Sequence, residues 1–153
     1  MTVLRSRLFV AIACAFLLAL GITPAAHAEE LDSRIVHALE AEPGGVVTST
    51  TTVEWPTLGM RLTLTSNGFS RGLSTRCPSG LVCAFQGAGE AGARLTWASC
   101  GTFSTAALTT VGSVANGRST GTVQARNGST VLASASAGNF ANTPSGVTNV
   151  RCI

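Results

Sequence analysis

The side chains with chemistry to offer are few and unevenly placed. The 153-residue chain carries ten basic residues, every one an arginine, with seven acids, two histidines and five cysteines. Cys77, Cys83, Cys100 and Cys152 form an even set, which in an exported chain reads as two disulfides with three pairings open. A zinc site is the poorer reading, because no C-x2-C pair occurs and His37 lies in another segment. A bridge over 77–83 would stabilise the fold by about 2.4 kcal/mol and one over 100–152 by about 4.2 kcal/mol through loop closure. Asp32 and His37 are five positions apart and cannot share a helix face, so no Ser-His-Asp triad assembles around them. Glu29, Glu30, Asp32, Glu40, Glu42 and Glu54 all precede Trp55, and Glu90 alone follows. Paired carboxylates for hydrolysis are therefore absent from the C-terminal half. These residues predict a chain that is not an enzyme and that needs no cofactor or metal.

Binding chemistry concentrates at Gln124, Arg126, Asn127 and Gly128. Asn127-Gly128 is the strongest turn signal in the chain, since a type I′ turn needs positive φ at both central positions. An arginine beside such a rigid turn could enter a specificity pocket with little loss of conformational freedom. Trp55 and Trp97 could stack on sugars, but aromatics in strand patterns predict core. His37, on a predicted helix near Arg34, is expected to be solvated at the surface.

The elements that position these groups begin after an address. Arg5 and Arg7 precede an uncharged run over 8–20, and Ala26-His27-Ala28 is a small-x-small site, so cleavage between Ala28 and Glu29 is expected. An apolar run of that length rises about 20 Å as a helix, too short to span a bilayer. Residues 1–28 thus predict a signal peptide, a secreted protein and no membrane association after cleavage. The formal charge of +3 over the whole chain makes no basic stripe, which argues against a nucleic-acid partner.

Residues 29–76 read as a helix, a hairpin and a linker. Leu31, Ile35 and Leu39 make one apolar stripe over 31–42, closed by Pro43-Gly44-Gly45. A strand over 46–55 meets a second over 60–65, where Met60, Leu62 and Leu64 alternate with Arg61, Thr63 and Thr65. Residues 67–76 are polar and glycine-containing, a linker. From residue 77 to 153 the signals are β throughout: short strands near 81–85, 94–97, 110–116, 122–124, 130–135 and 147–152, joined by turns. A weak echo between 111–116 and 147–152 suggests two repeats of strand–turn–strand, hence two Greek keys packed as a sandwich. The expected class is mainly β, preceded by a short helix and β-hairpin.

The string Cys77-Pro78-Ser79-Gly80-Leu81-Val82-Cys83, then Phe85, then Gly87-x-Gly89-x-x-Gly92-Ala93-Arg94, and later Ser113-Val114-Ala115-Asn116-Gly117, resembles a bacterial peptidase-inhibitor family of βγ-crystallin-like fold. The type member of that family is a secreted metalloproteinase inhibitor. The resemblance covers about 77–117 well and 118–153 loosely. It implies a two-Greek-key β-sandwich, a small disulfide loop joining Cys77 to Cys83, and an extracellular protease as partner. It also implies that Phe85 and Gly92 shape the first folded hairpin and that Ser113 packs over it. Glu90 stands where the wider crystallin pattern prefers an aromatic. The family's reactive bond lies in a second small disulfide loop, whereas residues 120–134 hold no cysteine, so no reactive-site residue carries over.

Crystallin-type calcium sites would place acids at Leu108 and Thr109 and at Pro144 and Ser145, and a calcium ion needs six to eight oxygens. No metal site is expected. The two functional readings are a monomeric inhibitor that blocks a protease with a rigid loop, and a secreted β-sandwich module that binds without inhibiting.

Overall fold

The computed structural model describes residues 30–65 and 76–153. The expected signal segment, its Ala28–Glu29 cleavage point and nearly all of the 67–76 linker lie outside the described residues.

Helix α1 spans Ser33–Ala41. It starts there because Asp32 caps it: the Asp32 carboxylate accepts the backbone N–H of Arg34 at 2.9 Å, serving one of the donors a first turn leaves free. The same carboxylate receives the Arg34 guanidinium at 2.6 Å. The hydrogen bonds and charge of Arg34 lower the Asp32 pKa from 3.8 to about 2. Because the folded-state value is depressed, this contribution is present above pH 3.8 and is lost as pH falls toward 2. Asp32→Asn is therefore expected to flatten the acid limb of a denaturation-versus-pH curve in that window, and an unchanged slope would refute the assignment.

Ile35 and Ala38 are fully buried, with Leu39 packed beside them. Leu31, expected in that stripe, is 44% exposed. It precedes the cap and so falls outside the helical periodicity.

Next come β1 (Val46–Ser49), β2 (Thr52–Trp55) and β3 (Met60–Thr63). The single strand expected over 46–55 is in fact two, because the chain reverses at Thr50-Thr51, where the Ser49 hydroxyl accepts the Thr51 N–H at 3.3 Å. Pro56 then opens a 3-10 turn over Pro56–Leu58, and Gly59 closes it at φ +56°, a left-handed conformation suited to glycine.

The remaining strands are β4 (Val82–Gly87), β5 (Ala91–Trp97), β6 (Thr102–Ser104), β7 (Ser113–Asn116), β8 (Thr122–Asn127), β9 (Thr130–Ser136), β10 (Phe140–Asn142) and β11 (Asn149–Cys152). They build two antiparallel sheets, one of seven strands in the order β1-β2-β3-β5-β4-β7-β10 and one of four in the order β6-β11-β8-β9. Each four-strand run, β4–β7 and β8–β11, gives its third strand to the other sheet: β6 joins β11, and β10 joins β7. β6 and β10 were not anticipated; at three residues each they are too short to show alternation.

Register explains the core. Val47, Val53, Leu62, Leu95, Ala84, Val114 and Ala141 lie opposite one another across all seven strands of the larger sheet. In the smaller sheet Phe103, Val150, Ala125 and Ala133 do the same. Apart from Val47, these rows lie in one apolar cluster that also takes in Ile35 and Ala38 of α1. The helix and the 46–63 hairpins thus share the core of the rest, and β3 is hydrogen-bonded directly to β5. Trp55 and Trp97 are both 1% exposed core residues.

The outer face of the larger sheet bears a second, smaller cluster of Cys83, Phe85 and Ala115, roofed by Cys77 and Leu81. Disulfides join Cys77 to Cys83 and Cys100 to Cys152, with Cα separations of 5.7 and 5.1 Å. A mainly β chain with two such cross-links suits an extracellular compartment.

Candidate functional site: the β8–β9 hairpin tip

The candidate binding residues lie together at the β8–β9 hairpin. Asn127 pairs with Thr130, which leaves Gly128-Ser129 as the two-residue loop. This corrects the turn expected with Asn127 and Gly128 at its centre. Gly128 has φ +56° and neither Asn127 nor Ser129 has positive φ, a pattern that fits a type II′ turn and excludes type I′. Both turn types follow the strand twist, so the dipeptide signal located the hairpin but not its register.

The tip is tied down from the neighbouring strand. Gly128 donates its N–H to the Thr148 hydroxyl at 3.0 Å, and the Asn149 side-chain amide donates to the Gly128 carbonyl at 3.1 Å. Thr148 N–H donates to the Arg126 carbonyl at 2.9 Å. Meanwhile Asn127, Gly128, Ser129, Thr130 and Val131 are all exposed. The result is a solvent-facing tip with its backbone held on both sides.

Arg126 does not project from it. Its guanidinium folds back and donates to the Ser129 carbonyl, and its Nε is buried without a hydrogen-bond partner. The expectation of an arginine presented to a specificity pocket is therefore corrected: the side chain braces the turn. Gln124 sits two pairs further down β8, opposite Arg151 and Ser134 on the outer face of the smaller sheet. Thr148 and Asn149 were not anticipated, because only the β8–β11 pairing brings residues some twenty positions apart into contact.

The first hairpin of the C-terminal region is built differently. Glu90 has φ +61°, and Gly92 has φ +79°. The Ser113 hydroxyl, fully buried, accepts the Glu90 N–H at 3.0 Å and donates to the Gly87 carbonyl at 2.8 Å. It thereby clasps the folded turn to β7. The Glu90 carboxylate accepts the Cys77 N–H at 2.9 Å, fastening the small disulfide loop to the same turn. Phe85 is fully buried beneath that loop. Ser113→Ala orphans the Glu90 N–H and is expected to cost about 1–3 kcal/mol, measurable by urea denaturation. A loss below 0.5 kcal/mol would show that water or another group takes over the clasp.

His37 is half-buried, not solvated. Its Nε2 is buried without a hydrogen-bond partner, in a small cavity lined by Arg34, Leu62, Leu64, Ala93 and Leu108. Asp32 is engaged by Arg34, so histidine and acid do not meet. Among the described residues, no three of His, Cys, Asp and Glu gather as a metal site would require.

Fold and site together define a disulfide-bonded, two-sheet antiparallel β protein with a clamped, exposed hairpin. Comparison with family models, with curated proteins and with solved structures finds no match for the chain.

Proposed function

We propose that the chain is a secreted, non-catalytic inhibitor of an extracellular peptidase, of βγ-crystallin-like two-Greek-key architecture, which blocks its target with the β8–β9 tip. The exchange of β6 and β10 between the sheets supports the Greek-key reading: in each unit the fourth strand lies beside the first and the third crosses over. The Ser113 clasp and the Cys77–Cys83 loop support the family resemblance.

The observation that carries the inhibitory reading is the clamping of Gly128 by Thr148 and Asn149. A loop whose backbone is already ordered gives up little entropy on docking and resists the distortion that cleavage requires. Specificity would come from the tip's shape and backbone groups, with Arg126 acting as a brace.

The test is a titration of the purified secreted protein against thermolysin, subtilisin and trypsin. Inhibition of one of them at micromolar concentration is expected, weakened about tenfold or more by Asn149→Ala as the tip loosens. No inhibition of any of the three at that concentration sinks the proposal. One observation favours a second reading, a secreted binding module without inhibitory activity: the folded-back Arg126 leaves the tip without a long side chain to fill a specificity pocket.

A further inference from the structure

We propose that the free edge of β1, with the groove between it and residues 30–32 ahead of α1, is a docking site for an extended segment of a partner protein, which adds to the larger sheet as an eighth strand. The segment places an apolar side chain in the groove and cationic side chains at its rim. The proposal does not rest on the inhibitor reading, and the two sites share no residue.

β1 is the terminal strand of the seven-stranded order, and all four of its residues are exposed. Its outward backbone N–H and C=O groups are a template for another strand. The apolar row of the inner sheet face ends at Val47, which is 37% exposed although its partner Val53 is fully buried. Beside Val47 is a cavity of about 350 Å³ lined by Glu30, Leu31, Asp32, Val47 and Thr50. It lies where an added strand would direct its inward side chain, with the residues leading into α1 as the far wall. A free strand edge with a pocket beside it is the geometry of peptide recognition by β-addition: backbone hydrogen bonds supply affinity and the pocket supplies selection.

Charge selects the occupant further. Glu30 lines the cavity, and the nearby Arg34 is committed to Asp32. Glu40 and Glu42 stand at the other end of the helix, where the chain turns into β1. An incoming segment therefore gains from Lys or Arg beside its apolar anchor. The same acids argue against a second copy, since antiparallel self-pairing of β1 would bring the Glu30 end of one protomer to the Glu42 end of the other. β1 itself carries a register irregularity between Val47 and Ser49, as β9 does opposite Ala125 and Arg126, and β6 and β10 are shorter at three residues each; what sets β1 apart is the cavity beside Val47.

The probe is a phage-displayed random nonapeptide library selected on the immobilised, disulfide-bonded secreted protein. Enriched peptides are expected to alternate, with an apolar residue flanked by Lys or Arg two positions away and no proline between. Their binding should fall at least tenfold in Val47→Lys and, independently, in Leu31→Lys. Both positions are exposed, so both variants should fold, as an unchanged circular dichroism spectrum would report. Failure to enrich, a proline-rich or acidic consensus, or binding to either variant as tight as to the unsubstituted protein would overturn the proposal. So would a concentration-dependent dimer in sedimentation equilibrium that Val47→Lys abolishes, which assigns the edge to a second copy.

Discussion

Replacing Cys100 and Cys152 together by alanine is expected to lower the unfolding free energy by about 4 kcal/mol, the largest loss from removing either cross-link. The bridge spans a sequence separation of 52, against 6 for Cys77–Cys83. Restricting the unfolded chain by a loop of the larger size contributes about 4.2 kcal/mol, and by the smaller about 2.4 kcal/mol. Location adds to this. Cys152 ends β11, which is paired on both sides, and Cys100 leads into β6, one of the two strands exchanged between sheets. Only three residues of β6 pair there, so the covalent tie and the Cys152 N–H to Gly101 carbonyl bond of 2.8 Å carry much of its attachment. Against a total of about 5–15 kcal/mol for a domain, the loss is severe. Urea denaturation should show a lower midpoint, with a melting temperature reduced by on the order of 15 °C. A loss under 1 kcal/mol would mean that the unfolded chain is already restricted over this span, and the same measurement on Cys77→Ala with Cys83→Ala gives the scale.

Trp55→Ala is expected to cost about 3–5 kcal/mol and to destabilise the entire chain, not the N-terminal hairpins alone. Trp55 is 1% exposed, and its indole N–H donates to the Glu42 carbonyl at 2.6 Å. One side chain therefore joins the end of α1 to β2, and its ring also meets the backbone near Gly45. Across the sheet Trp55 pairs with Met60, which pairs with Trp97 of β5. A cavity at Trp55 is thus felt along a row that crosses from the N-terminal hairpins into the C-terminal region. The variant carries its own reporter, because Trp97 becomes the one tryptophan left of two and stacks on Phe103 at 5.1 Å between ring centroids. Its fluorescence and far-UV circular dichroism should unfold together at a lowered urea midpoint, as one cooperative unit requires. If Trp97 unfolded at the wild-type midpoint while the dichroism lost an early phase, residues 46–63 would be a separately melting unit.

The candidate site was half legible. Asn127-Gly128 marked a hairpin because few dipeptides accept the backbone conformations such a loop demands. Whether Asn127 or Ser129 shares the loop with Gly128 depends on the pairing of Thr130 with Asn127, and that register answers to strand packing. Arg126 read as a projecting side chain because its position in sequence is beside a turn. Its bond to the Ser129 carbonyl depends on how the turn curls. Thr148 and Asn149 gave no signal, since a polar residue at a strand end is ordinary until its neighbour is known.

The β class, a helix within 31–42, the pairing of β2 with β3 and the burial of both tryptophans were legible from the chain itself. They depend on local alternation, on capping and on side-chain size, each of which acts over a few residues. The tertiary structure decided what joins what: the crossing of β6 and β10, the joining of β3 to β5, the half-burial of His37, and the cystine partners chosen from three pairings. Such features arise where segments distant in sequence compete to cover the same apolar surface. The winner is set by the packing of the whole core, which no short window of residues contains.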